Sequence, residues 1–411
     1  MAAAHLTRHF PEVDLLHIFD PAIPPIGVGE GTTPGFRIWL DEIAPVEFES
    51  LQRQCLATRK CGVQFENWGS VKPVFRHDFV PPAANGLHIS ASRVIPFLQG
   101  YVRAELVTGH VTEVVSSDSG AEVRMAGGSS ASADLVVDAR GFPPLLTDDH
   151  LRLSWVPTNS ALVTRCPQPR ESPWTRAVAR PHGWIFVIPL TDSTAYGYIH
   201  GGEHASTGEI EADFHEFLAS EQVESFAEPR AIRYPNFVCR RPFDGRVFRI
   251  GNAASFVEPL EASSLAVVRI QLELVEFWLR RYPLMALGRL EQHVVSTLND
   301  RIRDLILELS LFIGWHYASG SIYDTPFWRS ARARFRQGLL ELVPKEIGTR
   351  LVEQLQHASR LPLERIRAIR SAADLDRLVA QFQEFPRPFG GISPIGFAQL
   401  REGLSDAVEA E

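Results

Sequence analysis

The sequence predicts an α/β fold, and three stretches carry that prediction. The apolar run Val247-Phe-Arg-Ile250 enters Gly251-Asn-Ala-Ala-Ser255, and Ala262-Ser-Ser264 then opens an amphipathic stretch reaching Arg281. That order reads as strand, glycine turn, loop and helix, with backbone amides free to approach an anionic or electron-rich group. Met1 to Phe10 has helical spacing and leads into the strand Leu15-Leu-His-Ile-Phe19, ending at Asp20, as in the second half of a β-α-β unit. Ala133-Asp-Leu-Val-Val-Asp-Ala-Arg-Gly-Phe142 reads as a buried parallel strand ending at a glycine turn.

Each element follows in order. An acidic residue closing the second strand of a β-α-β unit binds the adenosine ribose, which makes Asp20 a candidate; Asp20-Pro21 also suffices to start a turn. Ser92 to Leu106 has the spacing of an amphipathic helix, and Val111 to Val115 and Glu122 to Met125 read as short antiparallel strands before the small-residue hairpin Gly127 to Ser132. Asp138 and Gly141 form a strand end that either lies by a cofactor or simply turns the chain. From Leu153 to Arg249 the chain is rich in strands, with turns at Pro167, Pro181, Thr191-Asp-Ser193 and Gly201-Gly202, and one helix near Glu209 to Ser220. After Val257-Glu-Pro259 it is largely helical, through Leu272 to Leu279, Leu290 to Leu311 and shorter amphipathic segments to Glu411. The expected organisation is a nucleotide-binding α/β region over 1–150, a substrate-side sheet over 151–240, a return to the cofactor over 241–285 and a helical region over 286–411.

Composition narrows the function. The chain has 411 residues, 45% hydrophobic and 22% charged, as ordinary for an enzyme of two or three subdomains. A net charge of -8 argues against nucleic acid, and Arg329, Arg332, Arg334 and Arg336 read as a solvated helix face. Cys55, Cys61, Cys166 and Cys239 form no CxxC pair, which suits free thiols in a reducing cytoplasm. No HExxH or GxSxG pattern occurs, so neither a metal site nor a serine hydrolase is expected, and no signal peptide or spanning segment is visible.

Four segments, Gly27-Val-Gly-Glu-Gly-Thr-Thr-Pro34, Trp184-Ile-Phe-Val-Ile-Pro189, Gly251 to Ser264 and Asp324-Thr-Pro-Phe-Trp328, together resemble the flavin-dependent halogenases of the tryptophan-halogenase family, in that family's order. The resemblance implies an FAD/NAD(P)-binding, Rossmann-like flavin monooxygenase fold with a mixed-sheet substrate region and a helical C-terminal part. It implies that reduced FAD, supplied by a separate reductase, and oxygen convert chloride or bromide into hypohalous acid, which crosses the protein to an aromatic substrate. Asp20, Gly29, Glu30, Thr32, Asp138, Gly141, Gly251, Asn252 and Ala253 fall at cofactor-binding positions. Lys60 and Glu261 fall where the family keeps its lysine and glutamate. Ser263 and Ser264 fall at the amides that bind halide, where relatives often carry threonine and glycine; a glycine-only backbone angle at Ser264 would strain it. Trp184, Phe186 and Pro189 match the W-x-W-x-I-P strand that walls the passage, with Phe186 in place of a tryptophan. The family's first strand and G-x-G-x-x-G loop belong before a helix like Met1 to Phe10, so a start codon placed too far downstream is expected.

The residues alone leave alternatives open. Lys60 would share a strand face with Gly62, Gln64 and Glu66, and a lysine on such a face is usually solvated. Gly62 removes a side chain beside Lys60, as when something passes close by. An ammonium can make hypohalous acid more electrophilic and a carboxylate can orient it or take a proton, yet Glu258 and Glu261 could also serve as helix caps. Trp184, Phe186 and Ile188 alternate onto one face, as a core sheet also requires. Between Trp68 and His88 only a short Pro-rich loop stands where tryptophan-specific relatives carry a long insertion. Larger indoles, phenols, pyrroles or a carrier-bound aromatic are therefore expected over free tryptophan. Rival readings are a flavin monooxygenase or oxidase of the same fold, or a non-catalytic binding protein. The substrate, the halide and a homodimer are left open.

Overall fold

The computed structural model describes residues 1–23, 29–69, 72–79, 85–282, 290 and 292–345. Gly27 and Val28 of the first motif, residues 70–71 and 80–84 of the Pro-rich connection and the amphipathic segments beyond Lys345 lie outside these residues.

Helix α1 (Ala2–His9) precedes strand β1 (Leu16–Phe19), as the spacing predicts. Next come β2 (Glu30–Gly31), α2 (Pro34–Ile43), α3 (Phe48–Cys55), β3 (Thr58–Lys60), β4 (Gly62–Glu66), β5 (Val74–Asp78), β6 (Gly86–Ile89) and α4 (Ala91–Gln99). The helix expected to reach Leu106 stops early. Pro96 sits inside it, Gly100 caps it, and Glu105-Leu-Val-Thr108 instead forms β7, parallel to β1 with Leu16 opposite Glu105. A proline that cannot donate, followed by a β-favouring run, outweighs the helical spacing.

The meander β8 (Val111–Ser117), β9 (Gly120–Met125) and β10 (Ser130–Ala133) turns at Gly127 and Gly128, both at positive φ, before β11 (Val136–Asp138) and β12 (His150–Arg152). Five further strands, β13 (Ser160–Cys166), β14 (Trp174–Arg180), β15 (Gly183–Pro189), β16 (Thr194–His200) and β17 (Arg230–Arg233), accompany helix α5 (Thr207–Ser220). A capping box of Ser206 and Glu209 starts α5. Strands β18 (Phe237–Cys239) and β19 (Val247–Arg249), a 3-10 turn at Gly251–Ala253, β20 (Ser255–Phe256), α6 (Ser264–Arg281), α7 (Gln292–Ala318) and α8 (Pro326–Lys345) complete the described chain. Strand β11 returns beside β19 in parallel, with Asp138 opposite Arg249.

The central feature is a seven-stranded mixed sheet of order β17-β13-β16-β15-β14-β4-β5. It draws β4 and β5 from the first 150 residues, so the substrate-side sheet is larger than strand counting from Leu153 suggests. Alternation sorts β15 between two layers. Trp184, Phe186 and Ile188 pack with Val63, Phe65 and Trp68 against α7 and α8, whereas Ile185 and Val187 pack with Tyr196 and Tyr198 against α5. Strand β15 is buried along its whole length, and burying each large aromatic contributes on the order of a few kcal/mol. Helix α8 begins with proline, as Asp324-Thr-Pro predicts, and is pinned to the sheet where Trp328 Nε1 donates to the Arg180 carbonyl at 2.8 Å. Arg329 and Arg332 pair with Asp324, and Arg334 pairs with Glu203. No helix among the described residues is long and apolar enough to cross a membrane.

Candidate active site

Lys60 does not share a strand with Gly62. The chain breaks at Cys61, leaving β3 in the small sheet β2-β6-β3 and β4 in the large one. Lys60 is therefore fully buried rather than solvated, and Nζ has no hydrogen-bond partner among the described residues. Burial lowers its ammonium to about 8, partly opposed by the Glu261 charge. The close passage that Gly62 permits is that of strand β5: a Cβ there would stand 2.1 Å from the His77 carbonyl oxygen.

Gly31 marks the meeting point of four segments. A Cβ added to it would lie 3.1 Å from Lys60 Nζ, 3.1 Å from Thr175 Oγ1 and 3.3 Å from Ala262 Cβ. Behind Thr175, His88 is fully buried between two hydroxyls, with Nε2 3.0 Å from Thr175 Oγ1 and Nδ1 3.0 Å from Thr58 Oγ1. Thr58 spends its proton on the Pro189 carbonyl at 2.8 Å, so it accepts from His88 Nδ1–H, and Nε2 accepts from Thr175. Burial, then the Lys60 charge, push His88 well below the ordinary histidine range, which agrees with this neutral tautomer.

Glu261 is buried between two histidines. His77 Nδ1 lies 3.1 and 3.0 Å from Oε1 and Oε2, and His316 Nε2 lies 3.1 Å from Oε1. Burial alone would raise this carboxyl, but the two imidazoles bring it down to about 2. Glu258 is equally buried and shifts the other way. Burial raises it to about 7, although Tyr317 donates at 2.7 and 2.8 Å and Thr158 also donates. Its backbone N–H donates to Asn236 Oδ1 at 2.9 Å, so it anchors the loop as well.

The loop places Ala262 at φ 54°, a left-handed conformation that costs a non-glycine residue about 1–2 kcal/mol. The turn held by Ala262 N–H donating to Pro259 O at 2.9 Å leads straight into α6. The positive φ thus belongs to Ala262 and not to Ser264, which enters the helix without that strain. Ser263 is the N-cap, so the first amides of α6, including Ser264, lack intrahelical partners, and Ser263 Oγ is buried without one. Trp184 Nε1 is also buried, and its N–H is turned to Glu258 and Tyr317, where it helps Thr158 and Tyr317 oppose the effect of burial on the Glu258 carboxyl. Two donors left bare beside this loop among the described residues, on Lys60 and Ser263, fit an anionic or polar guest such as a halide or hypohalous acid.

Asp20, Asp138, Gly141 and the Gly251–Ala253 turn follow the carboxyl ends of the parallel strands β1, β11 and β19, where α/β sheets receive nucleotides, whereas Gly29, Glu30 and Thr32 lie at the antiparallel strand β2. Asp20 does head a turn: Oδ1 accepts from Ala22 N–H at 2.9 Å and Oδ2 lies 2.9 Å from His110 Nδ1. A carboxylate has lone pairs beyond these two, so a ribose hydroxyl remains compatible. Asp138 is buried and accepts two bonds from the Arg140 guanidinium at 2.9 Å, while Gly141 at φ 101° faces open space. Gly251, at φ 54°, donates its N–H to Gln271 Oε1 at 2.7 Å, so that amide is occupied. Gln271 Nε2 is buried with no partner beside it, a donor that fits a cofactor. Ala253 is buried next to Asn252 in the 3-10 turn. Gly29 packs on the Trp184 strand, its Cβ position 3.3 Å from Ile188 Cγ2. Burial raises Glu30 to about 7, and Thr32 bridges to Leu87 through its amide and its hydroxyl, both at 2.8 Å. Phe186 lies over Gly197, whose Cβ position would be 2.2 Å from the ring, and Pro189 ends β15.

Sequence spacing misses His77, His88, Thr175 and His316. His77 and His316 stand 184 and 55 residues from Glu261, without ligand-like spacing, and only the register of β5 and the turn of α7 bring them together.

Comparison with known proteins extends the geometry. The tryptophan halogenase family model matches residues 1–85 and 80–344. A tryptophan 6-halogenase of Streptomyces albogriseolus is 24% identical across 80% of this chain and 76% of its own, and a tryptophan 7-halogenase of Lentzea aerocolonigenes is 25% identical across 84% and 78%. Among solved structures, a tryptophan 6-halogenase from Streptomyces toxytricini superposes with a TM-score of 0.73 at 20% identity, covering 99% of this chain and 94% of that one. A flavin-dependent halogenase from Xanthomonas campestris gives 0.73 at 18% identity, covering 100% and 92%. The chain shares their fold, and it belongs to the tryptophan halogenase family of flavin-dependent enzymes.

Proposed function

We propose that this chain is an FAD-dependent halogenase that transfers chlorine or bromine to an electron-rich aromatic through Lys60 and Glu261. The observation that carries the reading is a buried Lys60 Nζ, over the Phe79 ring and without a hydrogen-bond partner among the described residues, together with the Glu261 carboxyl lowered to about 2 beside the Ala262 turn. Asp20, Gly29, Glu30, Thr32, Asp138, Gly141, Asn252, Ala253 and the Gln271 amide would hold FAD, with Gly251 shaping the turn. Bound reduced FAD, together with oxygen and a halide, supplies hypohalous acid.

The protein's own part is to receive and orient that acid. Lys60, with its ammonium lowered to about 8, is charged in most molecules at neutral pH and still yields a neutral amine fraction. It can donate to the oxygen of hypohalous acid or, as the amine, attack the halogen so that an N–halogen bond forms while the oxygen–halogen bond breaks, the hydroxide leaving as water with the amine's proton. Glu261 supplies a fixed negative acceptor on the other side. The amides of Ser263 and Ser264 form the halide cradle, and Trp184, Phe186 and Pro189 form the wall that keeps water out. The short 68–88 connection favours larger indoles, phenols, pyrroles or carrier-bound aromatics, with reduced flavin drawn from a separate reductase.

The test is product mass from a panel of such aromatics with reduced FAD and oxygen, with and without bromide. A bromide-dependent brominated product is expected. An oxygenated product independent of bromide would move the assignment to a monooxygenase of the same fold.

A further inference from the structure

We propose that His77 and His316 are positioning residues that keep the Glu261 carboxylate ionised and in one orientation, leaving Oε2 as its open oxygen. The inference deepens the reading of Glu261 as a site carboxylate and rests on it for its functional meaning.

His316 is fully buried on α7. Phe65 stacks on its ring at 5.2 Å and 26°, and Phe312 and Trp68 meet it edge-on at 4.8 and 6.3 Å, so water cannot replace a lost partner. Its Nδ1 lies 2.9 Å from the Phe312 carbonyl oxygen, which only accepts, so Nδ1 carries a proton. Its Nε2 lies 3.1 Å from Glu261 Oε1. A bare nitrogen there would set one acceptor against another in an aromatic cage, so a proton occupies that contact too.

His77 approaches from β5, the strand that Gly62 admits, and its Nδ1 is shared between both carboxylate oxygens at 3.1 and 3.0 Å. Oε1 thus receives two donors and Oε2 one, which leaves acceptor capacity on Oε2 alone. The other charged groups around Glu261 are Lys60 from β3 and Glu258 on the same loop, whose carboxylate is turned to Tyr317 and Thr158. Neither supplies a competing donor bond to Glu261 among the described residues. Two imidazoles therefore set its charge, and each comes from a different packed element.

Infrared difference spectroscopy across pH, on the purified chain without flavin or halide, reads this directly through the carboxylic acid C=O stretch. Subtracting the Glu261→Gln variant assigns the band. Wild type is expected to show no Glu261 acid band down to about pH 4, where an ordinary glutamate is half protonated. His316→Phe and His77→Phe are expected to bring the band in at least tenfold lower proton concentration than wild type needs, and His316→Gln and His77→Asn, which keep an N–H donor, to fall between. A wild-type band already present in the ordinary carboxylate range overturns the proposal, and so does a band unmoved in the Phe variants. If a Phe variant does not fold, the wild-type band alone decides. In parallel, the acid limb of halogenation should move with the infrared band while flavin oxidation holds steady. A wild type that makes no halogenated product would count against the halogenase reading, and the infrared result would still decide the clamp.

Discussion

Glu258 and Glu261 stand three residues apart on one loop, both buried, and their surroundings drive them in opposite directions. Neutral hydroxyl and indole donors surround Glu258, which burial lifts to about 7; imidazoles surround Glu261, which falls to about 2. Burial costs either carboxylate its hydration, and what differs is how well the donors replace it. Tyr317, Thr158 and Trp184 offer neutral O–H and N–H groups, whereas His77 and His316 can share positive charge with the anion. One loop thereby carries a carboxyl that holds its proton near neutrality and a carboxylate that does not. Such divergence separates an anchoring acid from a buried anion.

The largest expected effect concerns the lysine on the Glu261 side. Lys60→Ala should lower halogenated product by about a thousandfold, in the range for a positioned acid-base group, with flavin oxidation unchanged. Single-turnover assays quantifying both products in the same tube check this. Glu261→Gln should cost about a hundredfold by the same assay, since the amide keeps shape and loses charge. An equal loss in Glu258→Gln would erase the contrast between the two carboxyls.

A structural break comes next. Gly62→Ala puts a methyl where the His77 carbonyl stands, so β5 must shift, and unfolding in denaturant should show a loss of about 1–3 kcal/mol. Glu261 should also lose part of its clamp in that variant.

The smallest effect is on the pH dependence of stability, where the signs oppose. The folded state binds the Glu258 proton more tightly than the unfolded chain, so this stabilisation is complete below about 4.5 and fades as pH rises through about 7. Glu261 contributes above about 4.5 and loses its contribution as pH falls through about 2. Glu258→Gln should therefore flatten the decline between those first two values, measured as unfolding free energy at a series of pH values. A decline that survives the substitution would assign it to another group.

The nucleotide side of the fold was legible because its signals are local. A strand, a glycine turn and a helix start can be read from Val247 to Ser264 without knowing what they touch. Lys60 and Glu261 were singled out only through resemblance, since a lysine followed by alternating polar residues looks solvated until the strand break at Cys61 is seen. The histidines around Glu261 and the Thr58-His88-Thr175 chain left no trace in spacing. Their roles arise from register, because β5 lies beside β4 and α7 crosses the sheet, and long-range pairing of that kind has no period in a single sequence. The helix that stopped at Gln99 shows the reverse: apolar spacing continued past a proline and a glycine, and the backbone did not.

Oxidant that reaches the substrate inside the protein, past Lys60 and Glu261, never enters bulk solvent. Turnover with bromide in the presence of excess free methionine, a thioether that traps hypobromous acid in solution, tests this most directly. Wild type should keep its yield of brominated aromatic, and Lys60→Ala should oxidise methionine in step with flavin turnover while making no brominated product. Loss of the wild-type yield to the trap, or bromination by Lys60→Ala at the wild-type level, would contradict it.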